Sequence, residues 1–134
     1  MTTLHRYDCF LADLAHGRHD LGHDVLMCTL ALRAPDVTND ATLADAQAIS
    51  SNYASPAQLG PTSLVQANGV LTLRAQPFVI VTQGAQVQMR YVIISNASSA
   101  NRLLGYLDLG LPRTLIPGAL TIGVAPSFDV LTLQ

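Results

Sequence analysis

From Thr62 to the C-terminus the chain is a series of short apolar runs, rich in β-branched residues and each cut off by turn formers. Ser63–Ala67, Asn68-Gly69 and Val70–Ala75 read as a hairpin, because an Asn-Gly pair accepts the positive φ that tight turns between twisted strands require. Phe78–Thr82 is a further strand, turned by Gln83-Gly84. Gln86–Ser95 (QVQMRYVIIS) alternates, with Val87, Met89, Tyr91 and Ile93 on one face and Gln86, Gln88 and Arg90 opposite. Val92 and Ile94 then make the second face apolar, as expected of a strand buried on both sides. Leu103–Leu109, Ala119–Val124 and Asp129–Leu133 complete the series, with 96–101, 110–118 and 125–127 as connections. Strand signals at spacings of roughly 8–12 residues are those of a mainly β domain. The expected architecture is a single antiparallel β-sandwich over residues 1–134, with about seven or eight strands in Greek-key or jelly-roll-like order.

The first third is less regular. Leu4, Tyr7, Leu11 and Leu14 have helix-like spacing and Gly17 would stop a helix, but 1–15 also reads as an extended N-terminal arm. Val25–Leu32 (VLMCTLAL) is a continuous apolar run, a core strand closed by Arg33-Ala34-Pro35-Asp36. Within 37–51, Asn39 or Asp40 would cap a short helix of two turns near residues 41–49, with Leu43 and Ile49 on one side. The stretch 51–62, with Pro56 and Gly60-Pro61, is a long connection.

Every basic side chain here is arginine and every acidic one aspartate, and charged residues make up only 12% of a chain that is 49% hydrophobic. Lysine and glutamate normally coat solvated surfaces, and interfaces are depleted in both, so the composition suits a protein that lives within an assembly. A GC-rich genome would explain the missing lysine equally well, the missing glutamate less so. A net charge of −2 and seven scattered arginines give no basic stripe, and tryptophan is absent, so nucleic acid is not an expected partner. The longest apolar stretches are too short to span a membrane, and MTTLHRYDCF lacks a signal-peptide pattern, so a soluble, intracellular product is expected. Cys9 and Cys28 are expected as free thiols.

His16, His19 and His23, with Asp20 and Asp24, form the one constellation that looks like chemistry. His19 and His23 stand four apart, a spacing that presents two imidazoles to one metal ion on a helix. Gly17 and Gly22 bracket the segment and weaken any helix there, and there is no glutamate to act as general base. A polar turn leading into the Val25 strand is the simpler reading, with no metal, no cofactor and no catalytic residue expected. A nucleophile elbow, a phosphate-binding loop and a dinucleotide turn are all missing from the sequence. Asn96-Ala97-Ser98 matches a glycosylation acceptor. The connection Leu111-Pro112-Arg113-Thr114-Leu115-Ile116-Pro117 carries large aliphatic residues between prolines. It is either a plug for one end of the sandwich or a preformed contact ridge, and Tyr53, Leu59 and Pro61 invite the same two readings.

The stretch Phe10–Leu26 (FLADLAHGRHDLGHDVL) resembles the opening of a family of small tailed-bacteriophage virion proteins, roughly F-x-x-D-L-A-x-G-x-H-x-L-G-x-D-x-L before an apolar strand and an A-P turn. Ala34-Pro35 sits where that turn belongs, and Leu43-Ala44-Asp45 with Ile49 is similar to the family's L-A-D-x-x-x-I segment. Arg90-Tyr91-Val92-Ile93, Leu104–Gly110 and Val130–Leu133 resemble its later strands. Two departures stand out: Ala119–Val124 lacks the acidic residues usual in the penultimate strand, and Tyr106-Leu107 replaces a bulkier aromatic pair. The resemblance implies a capsid decoration or cement subunit, a minor capsid protein in the virion, made in the host bacterial cytoplasm. Its implied partners are the major capsid protein and copies of itself, in a trimer or else a dimer. The alternatives are a tail or head–tail connector protein, or a metal- or ligand-binding module built on His16, His19 and His23. His19 matches a family position, which favours a structural role for it.

Overall fold

A turn with both central residues at positive φ, Asn68 at 53° and Gly69 at 79°, closes the hairpin of β4 (Ser63–Ala67) and β5 (Val70–Ala75). The computed structural model describes residues 4–49, 56–59, 63–76, 78–82, 87–115, 118–122 and 128–133. Before the hairpin come β1 (Leu4–Arg6), the helix α1 (Asp8–Ala15), β2 (Leu26–Ala31) and β3 (Ala57–Gln58). After it come β6 (Phe78–Thr82), β7 (Val87–Asn96), β8 (Arg102–Leu115), β9 (Gly118–Ile122) and β10 (Phe128–Leu133). The protein is mainly β, and every sheet is antiparallel. The largest sheet has the order β1-β8-β7-β2-β3; β10-β5-β4 form a second and β6-β9 a third.

Both readings of the N-terminus hold in part, since a short arm strand precedes a helix. β1 lies along β8 with Leu4 opposite Leu107 and Arg6 opposite Gly105. α1 ends as its glycine predicts: Gly17 takes φ +74°, its N–H bonds Leu14 O, and the Arg18 N–H reaches back to Asp13 O. That paired closure is a Schellman motif and satisfies carbonyls the helix would otherwise leave open. Phe10, fully buried, anchors α1 on the main core.

β7 is the centre of the molecule, buried on both faces from Tyr91 to Asn96 as its sequence suggests. Val92 and Ile94 join Leu26, Cys28, Leu30 and Leu104 in a core that also takes in Leu73, Ala75 and Ile80 from the two smaller sheets. Tyr91 and Ile93 face the other way, into a second cluster with Tyr7, Ala31, Ala46 and Leu103. Each such buried aliphatic contributes on the order of 1.5–3 kcal/mol.

Three expectations need correction. There are ten strands among the described residues, more than the seven or eight read from the sequence. The two-turn helix near 41–49 is a run of turns: the Asp45 carboxylate turns back to accept from the N–H groups of Ala41 and Thr42 at 3.1 Å each, and Gln47 sits at φ 53°. Aspartate competes in this way for backbone donors and favours turns over helix interiors. Finally, the supposed inter-strand loop at Leu111–Leu115 belongs to β8. Tyr91 pairs with Asp108 and Met89 with Arg113, so 109–112 bulge out of the ladder. Gly110 at φ +93° turns the chain into the bulge, and Pro112, which has no N–H to donate, sits where the ladder asks for none.

Candidate functional site

The histidine segment is a knot of polar groups that ties the loop after α1 to the end of β7. Buried Asp13 accepts from Arg18 at 2.9 Å and from Arg102 at 3.4 Å. His19, also buried, lies against the Phe10 ring with centroids 5.5 Å apart. The Asn96 amide stands 2.9 Å from His19 Nδ1 and donates to Asp24 Oδ2 at 2.7 Å. With Asn96 as donor, Nδ1 is the acceptor and the neutral ring carries its proton on Nε2. Burial pushes the His19 pKa down, and the Asp20 N–H and Asn96 amide hold the Asp24 carboxyl below its ordinary range.

His16 is exposed, and His23, also exposed, pairs with Asp20 at 3.1 Å, which raises its pKa. The structure therefore separates the three imidazoles, and among the described residues no group of three or more His, Cys, Asp or Glu is placed to hold a metal. Asn96 has no exposed surface, so its sequon is closed to a glycosyltransferase. Cys9 and Cys28 are free thiols, and burial pushes both upward, away from thiolate. A cleft of about 400 Å³ beside Arg6, Tyr7, Asp8 and Leu11 offers no activated nucleophile, since burial also keeps the Tyr7 hydroxyl protonated.

A second region carries a different property. From Ala46 to Met89 the sequence contains a single charged residue, Arg74, whereas Asp8–Asp45 holds seven of the nine aspartates. Many of the charges in that earlier stretch are spent on each other: Arg18 with Asp13, His23 with Asp20, Arg33 with Asp40. The nearly uncharged stretch forms β3 to β6, and there Leu64, Val65, Val79 and Val81 are 41–50% exposed. On β6 the alternation is clear, with Val79 and Val81 outward while Ile80 and Thr82 are buried.

The bulge of β8 is a separate shaped element. Arg90 donates Nε and Nη2 to the two oxygens of Asp108 at 2.9 and 3.1 Å, and the Gly110 N–H donates to Asp108 Oδ1 at 2.8 Å. The Arg90 guanidinium also covers the Tyr91 ring at 5.3 Å. Bidentate pairing fixes geometry as well as charge, and Arg90 in turn holds the Asp108 carboxyl below its usual range. Beyond this brace Leu111 stands 74% exposed, the most exposed of the large apolar side chains among the described residues.

Of the contact residues expected from sequence, Leu111 and Pro112 are exposed on the bulge. Arg113 and Leu115 lie in β8 opposite Met89 and Val87. Leu59 is a correction: at 2% exposed it belongs to the main core, because its N–H bonds Leu26 O and carries it inward at the end of β3. Tyr53, Pro61 and Ile116 fall outside the described residues. Val79, Val81, Leu64 and Val65 were missed, although the long, nearly charge-free stretch that contains them is visible in the sequence.

The geometry defines a mainly β, antiparallel protein whose exposed large apolar side chains lie on the smaller sheets and the braced bulge, and also at Leu11, Val25 and Leu32. Comparison with protein-family models, with curated proteins and with solved structures produced no match.

Proposed function

We propose that the chain is a structural subunit of a tailed-phage virion, a capsid decoration or cement protein on the outer face of the head. In this reading its sheets form an open β-sandwich that bridges neighbouring capsomers, bound to the major capsid protein and to copies of itself. The observation that carries the proposal is the stretch 46–89, with Arg74 its single charged residue, folded into strands that expose Leu64, Val65, Val79 and Val81. Such a surface gains most from meeting protein: each aliphatic side chain it buries contributes on the order of 1.5–3 kcal/mol. A stable contact needs roughly 1,000 Å² or more, and repetition over a shell adds avidity without new contacts. The resemblance of Phe10–Leu26 to phage virion proteins supports the same reading, and the braced Leu111 knob suits a preformed contact.

Co-sedimentation with shells of the major capsid protein tests it. The wild-type protein is expected to pellet with the shells and raise their melting temperature. The double variant Val79→Arg/Val81→Arg, altered on the outward face of β6, is expected to lose at least about tenfold in affinity, for two lost aliphatic contacts. Failure of the folded wild-type protein to pellet would contradict the proposal.

A further inference from the structure

Among the described residues β4 is an unguarded sheet edge. It ends its sheet, pairing with β5 on one side. A two-residue hairpin makes its closing pair, Ala67 and Val70, the hydrogen-bonded one. The backbone groups of Ala67, Val65 and Ser63 therefore face β5, while the N–H and C=O of Leu64 and Gln66 point outward. Proteins usually protect such edges with charge, proline or a bulge, and Ser63–Ala67 has none of these. Residues Leu64–Ala67 are exposed without alternation, so neither face of the strand is covered. Among the other described edges, β1 is three residues long and carries His5 and Arg6, β3 has two residues, β6 buries Ile80 and Thr82 beside β3, and β10 carries Asp129 and a break in register, while β9 is a second uncharged edge.

We infer that β4 pairs antiparallel with β4 of a second copy about a two-fold axis at Val65. The edge is self-complementary in this register. Leu64 meets Gln66 of the second copy and exchanges both backbone bonds with it, and the same happens on the far side of the axis. Val65 then faces its own copy in the close, non-hydrogen-bonded pair. The uncharged edge brings no like charges together. The result is one continuous sheet, β10-β5-β4 followed by the same strands in reverse order, a closed two-fold contact that selects the dimer over the trimer. This goes beyond the virion reading and does not require it, since the state in solution is measured without any particle.

Gln66→Pro separates the pairing from the fold. Its N–H points outward, so the substitution removes an intermolecular donor and leaves the β4–β5 ladder whole. Sedimentation analysis of the full chain should show a dimer for the wild type and a monomer for Gln66→Pro, with matching circular dichroism spectra. Val65→Cys should form a disulfide-linked dimer on mild oxidation, while Leu64→Cys should not, because its partner across the axis lies too far away along the strands. A wild-type monomer, a trimer, a dimer unaffected by Gln66→Pro, or equal cross-linking of the two cysteine variants would each overturn the inference.

Discussion

Asn96, itself with no exposed surface, has both amide hydrogens committed, one to buried His19 and one to part-exposed Asp24. Replacing it by alanine strands the buried acceptor on His19, and Asn96→Ala is expected to cost about 1–3 kcal/mol in urea unfolding. His19 gives the site a pH dependence. Burial lowers its pKa, so the unfolded chain binds a proton that the folded chain refuses. Stability is then complete above the ordinary histidine value of 6.5 and declines as pH falls below it toward the lower folded pKa. His23 acts in the opposite sense, losing its contribution as pH rises, but it is fully exposed and solvent screens it. Thermal melts should therefore be level above pH 7 and fall below about pH 6.5, with a shallower fall in His19→Gln. Identical slopes for the two proteins would rule His19 out as the cause. A structural role for His19 was readable from its glycine-broken surroundings. Its partner was not, because Asn96 is distant in sequence and nothing local in Asn96-Ala97-Ser98 marks it as buried.

At the scale of elements, β1 depends on Gly105. A Cβ there would stand 2.6 Å from His5 O and 2.9 Å from Leu4 Cγ, too close for the arm to keep its register. Gly105→Ala is expected to destabilise the protein by about 1–3 kcal/mol. It should also speed hydrogen exchange at Leu4–Arg6 while leaving the amides of β2 and β7 protected. Unchanged exchange in the arm would show that it yields without detaching. β2, the β4–β5 hairpin and β7 were legible because apolar period and turn chemistry point the same way. The segment 41–49 misled because a good cap and two well-spaced apolar residues are also what an aspartate-closed turn contains. The bulge in β8 was hidden behind its own Pro112, which reads as a loop residue unless the partner strand is known to need no donor there. Which strands pair across the small sheets depends on contacts far apart in sequence, and no local pattern encodes them.

Across the whole molecule, charge divides along the chain. Asp8–Asp45 holds seven of the nine aspartates, with Asp13 and Asp40 paired to arginine, and exposes Leu11, Val25 and Leu32, while 46–89 has one charged residue and exposes Leu64, Val65, Val79 and Val81. Lysine and glutamate are missing throughout, and in 46–89 arginine and aspartate are nearly missing as well, which leaves that stretch a single charge. A free protein with this surface risks association, whereas a subunit of an assembly covers it. The most direct test of the virion reading is the copy number of this chain in purified particles, by quantitative mass analysis against the major capsid protein. A decoration or cement subunit is expected in a fixed ratio to that protein, high enough to populate every local symmetry position of the shell. Absence from the particles, or the few copies typical of a tail or connector part, would contradict it.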